Sequence, residues 1–76
     1  MGRCEKLIQR AERNPGGLRF PEAKRLAECL GFTLERMRGS HHVYVRAGRE
    51  RPVVLTPDRN GMAKGYQVRQ LLTGTD

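Results

Sequence analysis

The apolar residues of this chain change their spacing once, close to Gly31, and that change constrains the fold more than any other feature. Before it, Cys4, Leu7, Ile8 and Ala11 follow an i, i+3, i+4, i+7 pattern, and Ala23, Leu26, Ala27 and Leu30 repeat it. Each set lines one face of an amphipathic helix. NPGG at 14–17 separates the two, because proline and paired glycines break helical geometry. Pro21 suits the first turn of the second helix, Gly31 can close it in the left-handed conformation, and Phe32 can fold back onto its last turn. After Gly31 the pattern is that of short strands, predicted over 33–38, 42–46 and 52–56. Gly39-Ser40 and the Ala47-Gly48 region connect them, and PDRNG at 57–61 is a further turn. Val68, Leu71 and Leu72 mark a last short helix. The expected fold class is therefore α+β in the order α-α-β-β-β-α, a three-stranded antiparallel sheet covered on one face by helices.

With 76 residues the chain is expected to be a single domain with room for one site. No stretch approaches the roughly 18 apolar residues of a membrane span. The opening MGRCEKLIQR lacks the apolar region of a secretory signal, so a soluble, cytoplasmic protein with no membrane partner is expected. Cys4 and Cys29 lie far apart with no CxxC or Cys/His spacing. They are read as small buried hydrophobes on helix faces, with neither a zinc site nor a disulfide framework indicated.

Charge narrows the partners. Fifteen Lys and Arg against eight Asp and Glu leave a net charge of +7, which favours a polyanion, because cations that neutralise phosphates release condensed counterions. An acidic protein is the other partner this charge accommodates. Both histidines stand side by side in RGSHHVYVR, after the Gly39-Ser40 turn. Period two in that strand puts Val43 and Val45 on one face and His42, Tyr44 and Arg46 on the other. If the valines meet the helices, His42 stands on the open face beside an aromatic ring and a cation. His41 has the parity of the valines. Arg36 and Arg38 share a face of the preceding strand, and pairing of adjacent strands is expected to bring some of these cations near His42, although the register between the strands is not fixed by the sequence. Tyr44 can be a base-stacking platform or a packing residue. Arg36, Arg38, Arg46, Lys64 and Arg69 are singly solvated charges, from which a phosphate-binding surface must be drawn.

The stretch over 20–72 resembles the HicA family of toxin-antitoxin mRNA interferases. It carries a helix ending in LGF, then GSHH followed by Val-Tyr, then VVLTPDRNGMAKGYQVRQLL. Residues 1–19 are an extra helix and turn similar to one branch of that family. The resemblance implies a fold like a double-stranded-RNA-binding domain. It also implies a metal-independent endoribonuclease without cofactor, with RNA as substrate and a HicB-type antitoxin as silencing partner. Carried over by position, His42 is the catalytic histidine, His41 an auxiliary or positioning residue, and Gly39 and Ser40 the turn that presents them. The RNA-binding set is Arg36, Arg38, Tyr44, Arg46 and Lys64. Where relatives often have Lys-Pro before the tyrosine of the last helix, this chain has Lys64-Gly65, so that helix is expected to be short or frayed. The chemistry implied is transesterification at an RNA phosphate, with a neutral imidazole taking the proton of a 2′-hydroxyl. A non-catalytic RNA-binding module on the same fold is the alternative, and a protein-interaction domain with an acidic partner is a third.

Overall fold

The computed structural model describes residues 2–73. Helix α1 spans Arg3–Arg13 and a one-turn 3-10 segment Pro15–Gly17. Helix α2 spans Phe20–Cys29, strands β1, β2 and β3 span Thr33–Arg38, His41–Val45 and Val53–Leu55, and helix α3 spans Gly65–Thr73. The α+β class and the order α-α-β-β-β-α are those expected. The sheet is antiparallel in the order β1-β2-β3. The second strand starts one residue earlier than predicted and the third is shorter. The last helix is short, at nine residues.

Local chemistry explains the boundaries. Helix α2 ends in a Schellman motif: Gly31 takes φ +90°, its N–H donates to the Glu28 carbonyl, and the Phe32 N–H donates to the Ala27 carbonyl. At its start, Glu22 turns back to accept from the Arg19 backbone N–H at 2.9 Å. The β1–β2 hairpin closes through Gly39-Ser40, where only Gly39 has positive φ, +59°, the requirement of a II′-type two-residue turn. In PDRNG, the Asp58 carboxylate accepts from the backbone N–H groups of Asn60 and Met62. That holds the loop against the start of α2, where the Phe20 N–H donates to the Gly61 carbonyl at 3.0 Å.

One core cluster runs through the molecule, from Leu7 and Ala11 of α1 through Leu26 of α2, Tyr44, Val53 and Leu55 of the sheet, to Val68 and Leu71 of α3. Each fully buried Leu or Val in it contributes about 1.5–3 kcal/mol. Gln67 is buried among these side chains. It accepts from the Thr56 backbone N–H at 2.8 Å, which ties α3 to the end of β3. Helix α1 packs antiparallel on α2 and is fastened at both ends. Arg10 pairs with Glu22 at 2.8 Å, and Cys4 is disulfide-bonded to Cys29 across a Cα separation of 5.5 Å.

That disulfide corrects the reading of the cysteines. Cys4 is exposed and Cys29 half-buried, and 25 residues of sequence separate a pair that the helical hairpin brings together. The spacing pattern carried no sign of it, because the hairpin rather than any local motif makes the approach.

Candidate active site

Strand register settles which face each residue takes, and it reverses the expected assignment. Directly opposed residues point to the same side. Tyr44 pairs with Val53 and His42 with Leu55, and Tyr44, Val53 and Leu55 all belong to the core. The side of β2 that carries His42, Tyr44 and Arg46 is therefore the helix side, and Val43 and Val45 take the open side. Val43 is buried there, outside the core cluster, with Arg36 and Val54 as its cross-strand partners. The large ring at position 44 is packed in the core cluster with residues of the sheet and the helices.

Three expectations change with the face. Tyr44 is 2% exposed and is a core residue rather than a surface on which a base can stack. Burial pushes its phenol pKa up, and the charge of Glu28 adds to the shift. Arg46 is committed to the fold. Its Nη1 donates to the Leu30 carbonyl at the end of α2, at 3.1 Å, and its guanidinium lies 4.6 Å from the centre of the Phe32 ring. A cation at a helix C-terminus that also satisfies an orphan carbonyl is stabilising. The cations of β1 are separated from His42. A register shift at Glu35 leaves Arg36 opposite Val43 and Arg38 opposite His41, so Arg36, Arg38 and His41 form an exposed group on the open face. Lys64 lies at the start of α3, where its carbonyl accepts from the Gln67 and Val68 N–H groups.

His42 itself sits at the rim of the helix side, half-buried. Its ring meets Phe20 edge-on, with centroids 4.9 Å apart and planes at 70°. Its Nδ1 is 3.1 Å from the Ser40 carbonyl oxygen. A carbonyl only accepts, so this contact is a hydrogen bond when Nδ1 carries the proton, and Nε2 is then the bare nitrogen. Gly39 and Ser40 thus do more than reverse the chain, because their turn orients the imidazole. The next residue on this side of the hairpin is Met37, opposite His42 and 55% exposed.

Phe20 and its neighbour one turn along α2, Lys24, stand beside His42's position without having been marked by the sequence pattern. Lys24 Nζ lies 5.5 Å from the Phe20 centroid, so the ring carries an imidazole and an ammonium together. The i, i+4 spacing on a predicted helix was available as a signal. The approach of His42 to that helix was not. Among the described residues, no cluster of three or more His, Cys, Asp or Glu could hold a metal ion, and no helix is long and apolar enough to cross a membrane.

The fold is thus a small basic α+β domain with an imidazole oriented by a turn carbonyl at the rim of its sheet. The family model described as the HicA toxin of bacterial toxin-antitoxin matches residues 20–75, and the chain belongs to that family, the toxins of toxin-antitoxin pairs. Helix α1 and the 3-10 turn lie before the matched stretch. Comparisons with curated proteins and with solved structures gave no match.

Proposed function

We propose that this HicA-family toxin is an endoribonuclease that cleaves mRNA in the cytoplasm by transesterification, with His42 as general base. The observation that carries the reading is the bond between Nδ1 of His42 and the Ser40 carbonyl, which leaves Nε2 as the proton acceptor. In the step, a 2′-hydroxyl gives its proton to Nε2 as its oxygen bonds to the adjacent phosphorus. The bond from phosphorus to the 5′-oxygen breaks, and the leaving oxygen takes a proton from solvent. RNA supplies its own nucleophile, and cations near the phosphate stabilise the charge that develops. His41 points to the opposite face and has a lesser, positioning role. Arg36, Arg38 and Lys64 belong to the wider surface that attracts the RNA backbone.

The silencing partner is an acidic antitoxin of HicB type that competes with phosphate around His42. Tyr44 and Arg46 are spent on the fold, so its footprint centres on His42 and the exposed side chain of Met37. In a reducing cytoplasm the Cys4–Cys29 pair is expected as thiols, and α1 then relies on its buried Leu7 and Ala11 and on the Arg10–Glu22 bond.

The deciding experiment incubates purified protein with RNA in EDTA and identifies the new ends. Wild type should yield 2′,3′-cyclic phosphate and 5′-hydroxyl termini. His42→Ala should fold, bind RNA and leave it intact, while His41→Ala keeps most of the cleavage. Full cleavage by His42→Ala refutes the assignment, and intact RNA with the wild-type protein favours the non-catalytic binding module.

A further inference from the structure

We infer that Lys24 is a second catalytic residue, the cation that meets the phosphate while His42 takes the proton, and that Phe20 is the platform holding the two in fixed relation. The inference rests on the proposed ribonuclease reading and adds to it the charge-stabilising partner that a lone base lacks. The geometry is that of one ring with two visitors. The His42 ring packs on Phe20 at 4.9 Å, and Lys24 Nζ approaches the same ring at 5.5 Å. Phe20 is 8% exposed and sits in the first turn of α2. It is therefore a rigid support, and an ammonium held against a buried ring has lost part of its rotamer freedom before substrate arrives.

Other cations are placed differently. Arg36 and Arg38 lie on the opposite face of the sheet, and Arg46 and Arg49 lie over Phe32. Among the described residues, Lys24 is the cation that lies over the ring on which His42 packs. A phosphodiester lying across the Phe20 edge presents its 2′-hydroxyl to Nε2 of His42 and its non-bridging oxygens to the Lys24 ammonium. As the bond from the 2′-oxygen to phosphorus forms and the bond to the 5′-oxygen breaks, negative charge grows on those non-bridging oxygens. Lys24 donates charge-assisted hydrogen bonds to them and keeps its proton.

The test is single-turnover cleavage of a fluorescent single-stranded oligoribonucleotide of mixed sequence, with affinity and melting temperature measured on the same samples. Lys24→Gln should lower the maximal rate by about a hundredfold or more, the scale of losing one oriented donor to a developing oxyanion. Its melting temperature should match wild type. Lys24→Arg should recover part of the rate, because a guanidinium carries the charge and stacks on an aromatic ring. Arg25→Gln, the same charge change on the exposed neighbouring position of α2, should weaken affinity and spare the maximal rate. A Lys24→Gln protein that behaves like Arg25→Gln overturns the inference, and so does a loss that Lys24→Arg cannot restore. His42→Ala that still cleaves would instead sink the underlying ribonuclease assignment, so the two failures are told apart by which variant keeps its rate.

Discussion

Replacing Tyr44 with alanine tests by a large energy whether its ring is buried in the core. The ring is 2% exposed and lies in the core cluster with Val53 and Leu55. Truncating an aromatic side chain in such a place costs about 3–5 kcal/mol, from lost transfer energy and the cavity left behind. A domain of 76 residues has a total stability of roughly 4–11 kcal/mol at the usual range per residue. Each kcal/mol moves the midpoint of a domain this size by about 4–8 °C. Tyr44→Ala should therefore melt at least about 12 °C below wild type. Met37→Ala provides the comparison: it faces the same side two strand positions from the turn, is 55% exposed, and should change stability by no more than about 0.5 kcal/mol. Thermal and urea unfolding give the stabilities, and RNA affinity is measured at a temperature where the variant is folded. Affinity per folded molecule should be unchanged for Tyr44→Ala. A variant that melts with wild type yet loses affinity would mean that the ring stacks on a base in the open, and the face assignment would be wrong.

Two further outcomes are expected. Closing a loop of 25 residues with the Cys4–Cys29 disulfide contributes about 3.5 kcal/mol on the chain-entropy account. Reductant should accordingly lower the melting temperature of wild type and leave a Cys4→Ser, Cys29→Ser double variant unmoved, and equal melting of wild type with and without reductant would contradict the bond. The second concerns acid. Glu22 is held below the ordinary carboxylate range by its hydrogen bond from Arg10, aided by the Arg19 backbone N–H and opposed by slight burial. A folded pKa below the unfolded value of about 4.3 means the stabilisation is present above that pH and is lost as pH falls through the depressed folded value. The gap in melting temperature between wild type and Glu22→Gln should thus be open at neutral pH and close in acid, and a gap independent of pH would refute the linkage.

What the sequence determined by itself is the set of elements and their order. Cys4, Leu7, Ile8 and Ala11, and then Ala23, Leu26, Ala27 and Leu30, mark helix faces because that spacing is a property of the helix alone. Gly31 and Gly39 mark two of the places where the chain takes positive φ, which is a property of one residue. The GSHH turn with the following Val-Tyr, and the later PDRNG and YQVRQLL, likewise carried the family through local pattern.

Tertiary structure decided everything that depends on which side of the sheet meets the helices. Period two sorts His42, Tyr44 and Arg46 from Val43 and Val45 but is silent about which set faces inward, because the side is chosen by the register with β3 and by the shape of the gap beneath α2 and α3. Tyr44 is buried in the core cluster, and Arg46 follows its parity to the end of α2. His42, on the same side but at the rim, is delivered to Phe20, whose ring Lys24 also approaches, rather than to Arg36 and Arg38. The Cys4–Cys29 bond has the same origin, since it joins residues that only the antiparallel packing of α1 on α2 makes neighbours. Contacts between elements arise from docking of complementary surfaces, and a periodicity computed along one element contains no term for the surface it will meet.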